Sequence, residues 1–171
     1  MFDWIGSLQI RDHTARRVVL SLSPATHILG WVALLVGGGI AWMLAPVDLW
    51  LAAVPVGFGL FGLALACWRR EFDFDGEAGV LRYRHQLLGL GTTQVIPLFH
   101  IRAVVVALRG SNKRSQLRKF AVGDYVAYVE RRIGEPLYLD ESRRCAHLLA
   151  MAEAVSEVTE LRLEYDAMSQ V

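Results

Sequence analysis

Two long stretches without a charged carboxylate, lysine or arginine dominate the hydropathy pattern: Val18 to Val47 and, after Asp48, Leu49 to Trp68. A helix rises about 1.5 Å per residue and the hydrocarbon core of a bilayer is about 30 Å thick, so about 20 apolar residues cross it. Ile28 to Ala45 and Leu49 to Trp68 meet that length. Between them Ala45-Pro46-Val47-Asp48 predicts a tight turn, because Pro46 opposes continuation of the first helix and Asp48 is a good N-cap for the second. The pattern therefore predicts a two-helix transmembrane hairpin over residues 27–68, preceded by an N-terminal segment of residues 1–26. Arg11, Arg16 and Arg17 precede the first span, Arg69 and Arg70 follow the second, and none lies in the turn. That bias predicts a multi-pass protein with both termini cytoplasmic, and Trp42, Trp50 and Trp68 stand where interfacial indoles are expected. A cleaved signal peptide fits poorly, since a second span follows at once.

Beyond residue 68 the period changes to two. Glu71-Phe72-Asp73-Phe74-Asp75 alternates charged and aromatic positions, Asp75 to Gly79 reads as a turn, and Val80 to Leu88 resumes as a strand, giving a hairpin. Gly89-Leu90-Gly91 turns the chain again. Thr92 to Leu98 and Ile101 to Leu108 follow as strands, with Pro97 at an edge or corner. Phe120 to Arg131 and Leu137 to Leu139 complete the run. Ser142 to Leu161 then shows helical period, with Cys145, Leu148, Leu149, Ala152, Val155 and Val158 on one stripe and Asp140 or Ser142 as cap. The short Leu161 to Tyr165 tail reads as an edge strand. Residues 69–171 are thus expected to form an α+β domain, a β-meander closed by one C-terminal helix.

Composition sharpens this picture. Apolar residues make up 54% of the 171-residue chain, above the roughly 45–50% of soluble domains, and the excess lies between Val18 and Trp68. The net charge of +1 conceals a basic cluster, Arg109, Lys113, Arg114, Arg118 and Lys119, without a carboxylate among them. Three readings stay open for this loop: solvated surface, contact with anionic lipid, or dock for an acidic partner. Nucleic acid is not expected, because aromatics for base stacking are not interleaved with the cations.

Candidate chemistry is sparse. Gly57-Phe58-Gly59-Leu60-Phe61-Gly62 matches GxGxxG, but that fingerprint needs a preceding strand, and here it lies inside an apolar helix. Gly57, Gly59 and Gly62, with Gly37, Gly38 and Gly39 on the first span, read instead as helix-packing positions. The five histidines and the cysteines Cys67 and Cys145 lack metal-ligand spacing, so no metal or other cofactor is expected. Glu71, Asp73 and Asp75 share a strand face and in principle suit acid–base work, although three carboxylates there more simply solvate a surface. No catalytic residue is assigned, and a non-enzymatic role is expected.

The order of elements resembles bacterial pleckstrin-homology-like domains that follow a membrane hairpin, closest in layout to the photosystem I assembly factor family. The resemblance rests on Phe72-Asp73-Phe74-Asp75-Gly76-Glu77-Ala78-Gly79-Val80, on Ile96-Pro97-Leu98-Phe99-His100-Ile101-Arg102-Ala103-Val104, and on Glu135-Pro136-Leu137-Tyr138-Leu139 before the final helix. It implies a pleckstrin-homology-like fold and a factor that escorts subunits of a larger membrane protein complex, in a bacterial inner or photosynthetic membrane. The alternative class is an anionic lipid-headgroup-binding protein or membrane-surface sensor.

Overall fold

The computed structural model describes residues 6–108 and 125–166. Helices α1 (Pro24–Leu44) and α2 (Leu49–Cys67) are both long and apolar enough to cross a membrane. Pro24 opens α1, where a missing N–H is harmless, and the Asp48 carboxylate caps α2 by accepting the Trp50 N–H at 2.8 Å. The two helices pack through small residues: Thr26, Gly30, Ala33, Gly37 and Ala41 are buried on α1, facing Ala52, Gly59 and Gly62 on α2. This spacing of three and four keeps the small positions on one stripe. A Cβ on Gly62 would stand 2.6 Å from the Leu34 nitrogen and 2.7 Å from the Gly30 oxygen, so the backbones approach too closely for any side chain there. Larger apolar groups such as Leu35, Trp42, Trp50, Val54 and Leu60 point outward.

The remainder of the chain builds two sheets. Strands β1 (Leu8–Thr14), β2 (Arg17–Leu22), β3 (Arg69–Asp75), β4 (Val80–Leu87) and β5 (Leu90–Pro97) form an antiparallel five-stranded meander in that order. The N-terminal segment of residues 1–26, to which the sequence assigned no element, supplies two strands, and Val18 to Leu22 at the start of the uncharged run lies in the sheet. The helix pair is consequently an insertion between neighbouring strands β2 and β3. The β4–β5 turn also sits one residue earlier than its glycines suggest, at Leu88-Gly89, with Leu90 and Gly91 already paired in β5.

After a single 3-10 turn (Leu98–His100), β6 (Ile101–Leu108), β7 (Tyr125–Arg131), β8 (Leu137–Ser142) and β9 (Arg162–Asp166) form a second sheet in the order β8-β7-β6-β9. Helix α3 (Cys145–Thr159) is the crossover that brings β9 parallel to β6. Its stripe of Leu148, Met151, Ala152, Val155 and Val158 joins Leu20, Phe72, Phe74 and Leu81 of the first sheet and Val104, Val129 and Leu139 of the second in one core. The expected mostly antiparallel β domain with a C-terminal helix is thus present. Neither expected residue caps α3: its N-cap position is Arg144, without a side-chain cap hydrogen bond, the Ser142 hydroxyl accepts the Arg144 N–H at 3.0 Å just ahead of the helix, and Asp140 is buried in β8.

Candidate functional site

The strand register brings both chain crossings to one end of the first sheet. Leu22 passes through Ser23 into α1, and α2 returns through Trp68 to Arg69; Leu8 pairs with Leu22, and Arg69 with Gln86. Polar contacts fasten this junction. The Ser23 N–H donates to the Ser7 carbonyl and the Gly6 N–H to the Thr26 hydroxyl, both at 2.9 Å. His27 Nδ1 donates to the Ala66 carbonyl at 2.9 Å, tying α1 to α2, and the Trp68 indole N–H donates to His85 Nε2 at 3.1 Å. Each of these groups would otherwise be left with an unsatisfied donor or acceptor at a partly buried joint.

Beside the junction opens a cleft of about 1060 Å³ whose lining includes Ile10, Arg11, Trp31, Arg69, Arg70 and Leu88. The arginines differ in availability. Arg70 is committed, since its guanidinium donates to the Tyr138 carbonyl at 2.6 Å and lies over the Phe72 and Tyr138 rings. Arg11 and Arg69 are exposed, and among the described residues neither reaches a carboxylate. Glu71, also on the cleft, stands 3.9 Å from Arg84. Leu88 also lines the cleft, held at φ 53°, with Gly89 at φ 80° completing a turn whose two central positions both have positive φ. Asparagine or glycine ordinarily takes the place Leu88 occupies, because a branched side chain strains that conformation.

The other residues selected from the sequence fall as follows. Glu71, Asp73 and Asp75 lie on the outer face of β3, an interior strand, and are matched by arginines. Asp73 accepts two hydrogen bonds from Arg17 at 2.7 and 2.9 Å with Arg82 at 3.5 Å, and Asp75 lies 3.9 Å from Arg82. The Asp73 carboxylate holds the Arg17 guanidinium above its ordinary pKa through hydrogen bonding and charge. Of the three, Asp73 is the closely paired carboxylate, and its contacts tie β2, β3 and β4 across the sheet surface. Gly37, Gly59 and Gly62 lie in the α1–α2 seam, whereas added Cβ atoms on Gly38, Gly39 and Gly57 would meet nothing within 4 Å. The seam also uses Gly30, which the local sequence context does not single out. Arg109, Lys113, Arg114, Arg118 and Lys119 lie outside the described residues. Among the described residues no three His, Cys, Asp or Glu side chains converge as a metal would require.

One polar arrangement has no local signature in the sequence. Asp140 accepts the Leu8 N–H at 2.8 Å through Oδ2 and the Glu141 N–H at 2.8 Å through Oδ1, while His147 Nε2 donates to the Leu8 carbonyl at 2.9 Å. Side chains of β8 and α3 thereby satisfy the Leu8 backbone at the start of β1 and join the two sheets through residues 132 apart in sequence. Burial pushes the Asp140 carboxyl up to about 6, against the backbone hydrogen bonds and the charges of His147 and Arg70. Nothing in the spacing of Leu8, Asp140 and His147 announces the contact, since only the tertiary fold brings them together.

No family model matches the sequence, and no curated protein matches it.

Proposed function

We propose that this chain is a non-catalytic, membrane-anchored accessory or assembly factor of a larger membrane protein complex. The observation that carries the reading is the insertion of the helix pair between β2 and β3. A domain attached at two adjacent strands, and braced by the junction hydrogen bonds, is held in a set attitude to the membrane, as a scaffold needs. The outward faces of α1 and α2 remain apolar, and the open positions at Gly38, Gly39 and Gly57 permit close approach by further transmembrane helices. The pleckstrin-homology-like reading and the likeness to the photosystem I assembly factor family enter this proposal from the sequence resemblance alone. In this reading the hairpin spans a bacterial inner or photosynthetic membrane with both termini cytoplasmic, and the arranged carboxylates serve structure rather than catalysis.

Affinity purification of the full-length chain in mild detergent tests the proposal. A stoichiometric set of membrane subunits is expected, and recovery of the chain alone under several gentle conditions would overturn it. Topology is checked separately by labelling an Glu77→Cys variant, lacking Cys67 and Cys145, from either side of intact membranes. Labelling from the outside would invert the assignment.

A further inference from the structure

We propose that the cleft beside the hairpin junction binds one anionic phospholipid, its phosphate between Arg11 and Arg69 and its acyl chains along α1. The proposal rests on the reading that the hairpin spans a membrane. It does not depend on the identity of any protein complex.

The first support is charge. Arg11 on β1 and Arg69 at the start of β3 line the same cleft without a carboxylate partner among the described residues, whereas Arg16, Arg17, Arg82, Arg84 and Arg102 all have one. Glu71 and Arg70, which share the cleft, are engaged by Arg84 and Tyr138, so the uncommitted charge is positive. Guanidinium groups offer paired donors matched to phosphate oxygens, and a phosphatidylglycerol headgroup, unlike phosphatidylcholine, brings no cation of its own to compete.

The second support is independent of charge. Leu87, Leu88 and Leu90 at the β4–β5 tip are 43%, 54% and 81% exposed, and Leu88 tolerates a left-handed backbone that asparagine would adopt more easily. Three exposed leucines at a strained tip are costly in water and favourable against acyl chains. The pairing of Arg69 with Gln86 sets this tip level with the helix ends. Trp31 lies seven residues into α1 from Pro24, about 10 Å along the axis at 1.5 Å per residue, so the cleft runs from the arginines at the helix ends onto the apolar surface of α1 where acyl chains would lie. Basic wall and apolar helix surface therefore meet in the cleft. The cleft volume of about 1060 Å³ accommodates a headgroup with its glycerol, sites for small ligands being roughly 300–1,000 Å³.

The test is native mass spectrometry of the full-length chain released from mild-detergent micelles after incubation with phosphatidylglycerol or phosphatidylcholine. One phosphatidylglycerol should be retained in preference to phosphatidylcholine. At about 1 kcal/mol per basic residue, Arg11→Gln with Arg69→Gln should weaken retention roughly tenfold or more, while Arg11→Lys with Arg69→Lys, which keeps the charge but not the paired donors, should fall between the native chain and the glutamine pair. Leu88→Asn should also lower retention without loss of secondary structure. Equal retention of the two lipids by the native chain, a measurement that needs no variant, would overturn the proposal. So would full retention by the glutamine pair, or loss only when Lys113, Arg114 and Arg118 are neutralised, which would move the lipid to the loop. Displacement of phosphatidylglycerol by millimolar inorganic phosphate would show a phosphate site without lipid recognition and would overturn it as well.

Discussion

The α1–α2 seam and the core between the two sheets are both closely packed, yet they are built from opposite residues. The seam is made of Gly30, Ala33, Gly37, Gly59 and Gly62, with the bulky side chains turned outward. The core holds Phe72, Phe74, Leu81, Leu148 and Met151, all essentially inaccessible. The contrast fits the proposed setting, with the helix pair in lipid and the sheets in water. Apolar side chains in a water-exposed domain gain by burial, whereas lipid is as apolar as leucine and rewards only close van der Waals approach between helices. Small residues permit that approach, and large ones prevent it.

Substitution separates the two regimes. Phe72→Ala should cost about 3–5 kcal/mol, read as a lowered denaturation midpoint of the full-length chain in mild detergent by circular dichroism. Phe58→Ala, on the outward face of α2, should leave that midpoint within about 0.5 kcal/mol. Comparable losses at the two phenylalanines would break the comparison. Within the seam the sign reverses: adding a single methyl at Gly62 should destabilise the hairpin by about 1–3 kcal/mol in an SDS titration, because backbone atoms of α1 occupy the space. The same change at Gly57, where nothing stands within 4 Å, should be nearly silent. If Gly57→Ala proves as damaging as Gly62→Ala, the seam has been placed on the wrong face.

A smaller effect sharpens the comparison from the soluble side, at the Asp140 contact that joins the sheets. Asp140→Ala deprives two backbone N–H groups of their acceptor and should cost about 1–3 kcal/mol. Burial raises the folded-state carboxyl to about 6 from 3.8, so protonation favours the folded chain. The contribution is fully present below about pH 4 and is lost as the pH rises through about 6. Asp140→Asn should abolish this contribution in the variant, so that the difference between native and variant stability changes with pH across that window. A native curve parallel to that of the variant would show that Asp140 is not the group responsible.

How far the fold could be read in advance differs by element for physical reasons. Alternation in Glu71 to Asp75 and Val80 to Leu87 marks strands because each has one wet and one buried face, and the apolar stripe from Leu148 to Val158 marks α3 for the equivalent reason at helical period. The strand of Val18 to Leu22 escaped because it is uncharged and runs directly into an uncharged helix, so hydropathy alone cannot separate them. The helix-packing glycines were legible as a class but not by face, since Gly37, Gly38 and Gly39 are adjacent and only one of any three successive helical positions points into a given seam. The cleft was invisible for another reason. Arg11 and Arg69 read as ordinary juxtamembrane cations, and nothing local says that one stays free while Arg17 finds Asp73.

By itself the sequence determined the two membrane-length helices, the turn capped by Asp48, the meander of alternating strands and the amphipathic final helix, because each is set by residue spacing within a few turns or strands. Only the tertiary structure decided that β1 and β2 join β3 across the inserted hairpin, that Asp140 and His147 hold the Leu8 backbone, and which cleft arginines meet no carboxylate among the described residues. Those outcomes depend on contacts between residues far apart in the chain, where hydrogen-bond satisfaction and close packing choose among partners that local pattern leaves equivalent.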